Sequence, residues 1–259
     1  LRLASSRKPD VIHGVFVVPS GLSAVMASRA CESPTIVTAV GADVFDPTRF
    51  GTGRKFLHGI VRRVVWSARA ATAISKDMKS RLQHVSGRSD IHVLPIGIDT
   101  RKFGDQSSAK EGGLVVTTGR LVPRKRLDLL LRAWKLVSDQ KRGVKLLIIG
   151  DGPLRTVLEI QASRLGISDG VELVSLRRED LPQAYSSANV YVCTSEHEGL
   201  YLAGLEAMAC GLPVVAPAVG GITDWLVHGK NGFLYRFGDI DTLSTRIVEL
   251  LTDQALALE

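Results

Sequence analysis

Cysteine is scarce in this chain. Cys31, Cys193 and Cys210 are the only three among 259 residues, and they form no CxxC pair. Zinc ligation and dithiol redox chemistry need closely spaced thiols, so neither is a leading reading. Cys193 lies in an apolar run and reads as a small core residue, and a reducing compartment suits the set. Long apolar runs are lacking too. None approaches the roughly 18 residues that a membrane span requires, and no secretory leader is legible in the opening residues. No G-x-G-x-x-G follows any apolar run, which disfavours a Rossmann dehydrogenase. Aromatic residues amount to 5% of the chain and no nucleic-acid motif is present, so nucleic acid is not the expected partner.

What is present is an ordinary globular composition, 45% hydrophobic and 23% charged, long enough for one large domain or two smaller ones. Lys and Arg number 33 against 26 Asp and Glu, a net charge of +7. That excess suits an anionic partner such as nucleotide phosphates or a membrane surface. Short apolar runs at 11–18, 35–40, 71–75, 91–95, 114–119, 144–150, 171–176, 190–195 and 213–217 are continuous, not alternating. Continuous runs are the mark of parallel strands buried on both faces. Between them lie helical patterns. Leu127, Leu130, Leu131, Trp134 and Val137 share one helical face, and 153–165 reads as a helix with Pro153 in its first turn.

Strand and helix alternation predicts right-handed βαβ units. The polar, turn-rich stretch 96–113 reads as a linker between a domain at 1–95 and a domain at 114–259. The expected fold is therefore α/β, with two Rossmann-like doubly wound parallel-sheet domains, the N-terminal one incomplete. Ligands in such sheets bind beyond the carboxyl ends of the strands.

Three segments fall at such ends. GRLVPRKR (119–126) places Gly119, Arg120 and Lys125 around a turn at Pro123. Two fixed cations there suit a diphosphate, and the same residues also fit a solvated basic face. GDGP (150–153) reads as structural, with Asp151 capping the next helix. The third segment, EHEGLYLAGLEAMACGLPVVA (196–216), is the most informative. Glu198 precedes a turn at Gly199, Leu200 and Tyr201, a helix begins near Leu202, and Glu206 follows on it. A helix N-terminus presents free N–H groups to phosphate, and the two carboxylates can accept bonds from sugar hydroxyls. Gly211 suits the helix C-terminus and Pro213 the start of the next strand.

GRLVPRK, GDGP and EGLYLAGLEAMACGLPVVA together resemble glycosyltransferase family 4, retaining enzymes of the GT-B fold. PDVIHGVFVVPSGLSA (9–24) and TIVTAVGAD (35–43) are similar to that family's acceptor-side domain, and LPIGIDTRKF (94–103) to its interdomain linker. The overall flavour is that of teichuronic acid and exopolysaccharide biosynthesis transferases. The resemblance implies that Arg120 and Lys125 bind the donor diphosphate as leaving group. Glu198 would touch the donor sugar, Gly199 to Leu202 would offer backbone N–H groups, and Glu206 would hold the ribose. It implies no metal and no cofactor besides the UDP-, GDP- or ADP-sugar donor, and a glycan or polyprenol-linked acceptor. It also implies that the family's first strand precedes residue 1 and that its closing helices follow Glu259.

Two further departures from the family pattern stand out. Tyr201 replaces a glycine in the turn and would alter or partly fill the donor site. Val15 and Val40 stand where the family carries histidines, which puts turnover in question, and His13 reads as strand-end packing. Residues 47–76 carry seven Lys or Arg and no acid. On a helix over 54–69, Lys55, His58, Arg62 and Arg69 share one face and Leu57, Val61, Val64, Val65 and Ala68 another. This arrangement suits an anionic membrane surface and equally a surface helix packed on the core. The resulting expectation is a cytoplasmic retaining glycosyltransferase of cell-surface polysaccharide synthesis, peripheral on the inner face of the plasma membrane. Alternatives are a non-catalytic nucleotide-sugar-binding remnant and another GT-B enzyme, such as a sugar-nucleotide epimerase or a phosphorylase.

Overall fold

In a computed structural model, the described residues are 9–41, 44, 54–104 and 112–253, with the side chains of 54 and 55 excepted. Expectations for Val40 to Asp43 beyond residue 41, for Arg49 and Phe50, and for the Lys55 side chain lie outside them. The chain divides into two compact units, Leu1–Ile96 and Gly97–Glu259.

The first unit is a four-stranded parallel sheet in the order β1 (Ile12–Val15), β2 (Thr35–Ala39), β3 (Ala70–Ala73), β4 (Ile91–Val93). Among the described residues three helices connect the strands: α1 (Leu22–Cys31), α2 (Arg54–Ser67) and α3 (Lys76–Ser86). Strands in sequential order with right-handed crossovers put these helices on one face. Val37, Ala39, Ala71 and Ala73 of the sheet pack there against Val61, Val64 and Val65 of α2 and Met78 and Leu82 of α3. The apolar stripe expected on α2 is therefore core. The run 11–18 is strand only to Val15, because Phe16 takes φ 71 and a tight turn follows over Val17–Gly21.

Arg88 closes the open end of α2. The residue is 7% exposed, and its guanidinium donates to the carbonyls of Val65 and Ala68 at 2.8 Å each and pairs with Asp90 through two bonds of 2.8 Å. Helix ends leave their last carbonyls without intrahelical donors, and here one side chain supplies them.

The second unit is a six-stranded parallel sheet in the order β10-β9-β8-β5-β6-β7. Its strands are β5 (Leu114–Thr118), β6 (Lys145–Ile149), β7 (Val171–Val174), β8 (Val190–Val192), β9 (Val214–Pro217) and β10 (Gly232–Tyr235). Its helices are α4 (Leu127–Gln140), α5 (Arg155–Arg164), α6 (Leu181–Ser186), α7 (Leu202–Ala209) and α8 (Ile240–Thr252). One core holds the apolar faces of α4, α5 and α8, and a second holds α6 and α7. The helical stripe predicted from Leu127 to Val137 is wholly buried. Phe103, in the stretch read as linker, is 3% exposed and packs in this unit's second core.

Two local expectations are corrected. Pro153 precedes α5, whose N-cap is Leu154, because the chain is still turning at 153–154. Asp151 caps no helix. Its Oδ1 accepts from the adjacent Gly152 N–H at 2.8 Å, and the helix begins too far along to reach it.

Candidate functional site

Sheet order positions the site. β5 runs on to β6 and β7 on one side, while β8, β9 and β10 lie on the other. The loops leaving β5 and β8 thus diverge at a topological switch point, where such sheets leave a crevice. The loop after β5 is Gly119–Arg126, with a turn of 3-10 helix over Pro123–Lys125. The loop after β8 runs from Cys193 to Tyr201 and enters α7.

Close backbone approach fixes the first loop. A Cβ on Gly150 would fall 1.9 Å from the Gly119 carbonyl oxygen, and one on Gly152 2.6 Å from that of Leu121. Both glycines have φ near +155° (154 and 156). The GDGP segment is therefore the structural support of the GRLVPRKR loop, with Leu121 N–H donating to Asp151 O at 2.9 Å. Gly119 matters for another reason: a Cβ there would lie 3.1 Å from Lys125 Cε, so the lysine stem crosses where a side chain would stand.

The two loops are stitched together. Glu196 N–H donates to Arg124 O at 2.9 Å, and Thr194 Oγ1 donates to Lys125 O at 2.9 Å. Lys125 Nζ donates to Glu198 Oε1 at 2.7 Å, with side chains only 13% and 9% exposed. Arg120 is exposed and has no ion pair among the described residues. Arg120, Lys125, Gly119, Ser195 and Tyr201 line one small cavity. A wider surface hollow of about 710 Å³ lies beside β6, β7 and α6, and none of the sequence-derived candidates lines it.

Glu198 is held through its backbone. Its carbonyl accepts from Gly221 N–H at 3.0 Å, and Gly220, at φ +53, would place a Cβ 2.0 Å from that oxygen. The Gly-Gly pair after β9 was not singled out from sequence, although two glycines at a strand end were the available signal. Leu200 O accepts from Trp225 Nε1 at 2.7 Å. Gly199 is half-buried and Leu200 buried, and Leu202 is the first residue of α7.

Tyr201 is the N-cap of α7 at φ 67, ψ 66, the left-handed region that glycine adopts without strain. Its ring points down into the core at 6% exposure. The hydroxyl bonds Tyr191 Oη at 2.9 Å, which bonds Thr118 Oγ1 at 2.8 Å, which also bonds Tyr185 Oη at 2.8 Å. The Lys125 ammonium stands 4.9 Å above the ring centroid. Tyr201 therefore forms the floor beneath Lys125. Burial holds its phenol well above the ordinary range, so it stays neutral. Burial and then the Glu198 charge push the Cys193 thiol up as well, which fits an inert core residue.

Glu206, on the second turn of α7, is 4% exposed. Arg178 Nη2 donates to its Oε1 from the turn after β7. Neither Arg178 nor Phe103, whose ring lies under that guanidinium at 5.4 Å, was read as a site residue. The signal available was a basic pair, Arg177 and Arg178, just past a strand end. In the first unit His13 is exposed, not packed, and its Nε2 shares a 2.7 Å hydrogen bond with Thr38 Oγ1. Its strand faces outward there because Gly14 takes the inward position against Gly21 and Ala24. Val15 is 46% exposed.

Among the described residues no helix is long and apolar enough to cross a membrane.

Comparison with known proteins agrees with this architecture. Residues 99–259 match the family of Glycosyl transferases group 1, and residues 1–102 match Glycosyltransferase Family 4. The chain is 32% identical over 212 residues to a GDP-mannose-dependent alpha-(1-6)-phosphatidylinositol monomannoside mannosyltransferase of Mycolicibacterium smegmatis, covering 74% of this chain and 56% of that protein. It is 32% identical over 267 residues to the sulfoquinovosyl transferase SQD2 of Arabidopsis thaliana, covering 95% and 51%. Its fold superposes on Anabaena Alr3699/HepE, solved in complex with UDP, with a TM-score of 0.87 at 22% identity, covering 99% of this chain and 73% of that one. The chain spans about half the length of the curated relatives it matches. The expected α/β architecture of two parallel sheets is thus the GT-B fold. With more than half its residues matched, the chain belongs to the glycosyl transferases group 1, and its opening segment to glycosyltransferase family 4.

Proposed function

We propose that the chain is the nucleotide-sugar-binding part of a retaining glycosyltransferase. The observation that carries this reading is the Lys125–Glu198 pair at the mouth of a helix N-terminus. A fixed cation, the exposed Arg120 and the free N–H groups opening α7 converge where β5 and β8 diverge. Such an arrangement compensates the charge of a diphosphate. Glu206 then offers a buried carboxylate to a ribose diol, and Glu198 contacts the donor sugar while orienting Lys125.

In the reaction the bond from the sugar's anomeric carbon to the diphosphate oxygen breaks, with its electron pair leaving on the diphosphate. Arg120, Lys125 and the α7 N-terminus offset that charge. An acceptor hydroxyl bonds to the same carbon from the same face and passes its proton to the departing diphosphate. The nucleoside is uridine, guanosine or adenosine, and the acceptor a glycan or lipid-linked sugar of cell-surface polysaccharide synthesis. The relatives' named lipid acceptors support a lipid-linked one.

Location at a membrane surface is part of the same reading. The outer side of α2 exposes Arg62 and Arg63, with Phe56 75% and Trp66 58% exposed. Aromatic rings beside arginines suit the interface of an anionic bilayer on the cytoplasmic side.

The test is calorimetric titration with UDP, GDP and ADP without added metal. Saturable binding of one nucleotide, weakened on the order of tenfold or more in Glu206→Ala, is the expected result. Absence of any binding, or unchanged affinity in that variant, would remove the site assignment. Transfer from the matching nucleotide sugar then separates the enzyme from a binding remnant.

A further inference from the structure

The Arg178–Glu206 contact asks for an explanation that packing does not provide. Glu206 is a buried carboxylate, 5% exposed at its side chain, while Arg178 is 72% exposed. A carboxylate out of water needs a partner. Here the partner is an arginine that lies largely in solvent and reaches in only with its tip. Holding such a long side chain in one conformation costs rotamer entropy. The Phe103 ring offsets part of that cost by bracing the guanidinium at 5.4 Å. Phe103 is itself buried, with its ring 6.3 Å from that of Tyr185. Bracing by a buried ring, and not mere surface pairing, marks this arginine out from the exposed Arg177, which bonds only its neighbour Asp180 and Glu179.

The pair uses one carboxylate oxygen, Oε1. A charge-assisted bond of this kind fixes the rotation of the carboxylate. Each carboxylate oxygen has two acceptor sites, so Oε1 can accept from Arg178 and still, together with Oε2, face the two hydroxyls of a vicinal diol in one fixed orientation. A carboxylate free to rotate would lose part of that orientation.

We propose that Arg178 is a positioning residue for Glu206, and that through it the site selects a ribose diol over a deoxyribose. This rests on the donor-site reading above. Phe103, at the start of the second unit, is the brace of the same device. The occupant is the sugar of a nucleoside diphosphate, and Arg178 touches it only through Glu206.

The test compares ribonucleoside diphosphates with their 2′-deoxy counterparts by titration calorimetry on this chain and on Arg178→Ala, Arg178→Lys and Phe103→Leu. The parent chain is expected to bind the ribonucleotide on the order of tenfold tighter than the deoxynucleotide. Arg178→Ala should bring that ratio to within about twofold while changing deoxynucleotide affinity little, because the lost term is the diol's. Arg178→Lys, which keeps a cation, should restore much of the preference, and Phe103→Leu should lower it in part. Circular dichroism on each variant checks folding, and Arg178→Gln replaces the alanine variant if that one is unfolded.

Equal loss of both affinities in Arg178→Ala would assign the arginine a general structural or electrostatic role and overturn the inference. A retained ratio, or tighter ribonucleotide binding in Arg178→Ala, would overturn it too, the latter by making Arg178 a competitor for Glu206. Failure of the parent chain to bind any ribonucleotide is a different result. It removes the donor-site reading itself, and the inference with it.

Discussion

Lys125 and Glu198, 73 positions apart in sequence, meet at 2.7 Å with both side chains nearly buried. Each charge is the other's compensation, so removing one leaves the other stranded. Lys125→Met and Glu198→Gln, made singly, are each expected to cost about 3 kcal/mol of stability. The double variant Lys125→Met/Glu198→Gln should cost clearly less than the two single changes summed. Urea unfolding of the four proteins gives the coupling directly, and additivity would show that the pair is not mutually dependent. In the proposed enzyme, Lys125→Ala should also lower turnover more than nucleotide affinity, since leaving-group charge grows only as the bond breaks.

Tyr201 carries opposing contributions. Its φ of 67 is strained for a side chain, at about 1 kcal/mol. Its ring is buried, and Gly204 has no Cβ where one would meet that ring at 2.8 Å. Replacement by glycine relieves the strain and empties an aromatic-sized hole. The second effect is larger, so Tyr201→Gly should lose about 3 kcal/mol by thermal or chemical unfolding. Tyr201→Phe, which deletes only the 2.9 Å bond to Tyr191, should lose about 1 kcal/mol. A stabilised glycine variant would mean that backbone strain outweighs burial here.

The Arg88–Asp90 pair gives the first unit a pH signature. The Arg88 guanidinium holds the Asp90 carboxyl down at about 2, against an ordinary value of 3.8. A depressed folded-state value contributes stability that is complete above the unfolded value and is lost as pH falls through the folded one. The loss therefore falls between about pH 4 and pH 2. Urea midpoints of the parent chain and Asp90→Asn should converge across that window and differ above it. Parallel curves from pH 6 to pH 2 would refute the assignment. Arg88→Met, by contrast, should destabilise the unit at every pH by about 2 kcal/mol or more, because the Val65 and Ala68 carbonyls lose their donor.

Phe56, Trp66, Arg62 and Arg63 give the outer side of α2 its test. Co-sedimentation with vesicles rich in phosphatidylglycerol should fall several-fold in Phe56→Ser/Arg63→Gln, and should weaken with added salt in the parent chain. Neutral phosphatidylcholine vesicles should bind little. Equal binding to both vesicle types, or none to either, would leave α2 a plain surface helix. Trp66 is a poorer test residue, because its indole N–H also bonds Ser86 O at 2.8 Å.

Much of the fold was legible along the chain. Among the described residues, continuous apolar runs marked nine of the ten strands, and the stripe from Leu127 to Val137 marked α4, because burial on two faces or on one leaves different periodicities. β10 and α8 were not marked, and neither were α1, α3 and the short α6. α8 carried a readable stripe, Ile240, Leu243, Ile247 and Leu250 at helical spacing, whereas β10 and the short α6 are too brief for periodicity to mark them. At the site, the strand-end loops and the two glutamates were readable because the order strand, turn, helix carries its own geometry.

The sequence by itself determined the alternation of strands and helices, the loops at the strand ends and the family to which they belong, since these depend on residues near one another. The tertiary structure alone decided that Lys125 pairs with Glu198, that Tyr201 turns inward as a floor, and that Arg178 caps Glu206. Each of these depends on which loops the order of strands brings side by side, and that order is set by packing over the whole sheet, not by neighbours along the chain.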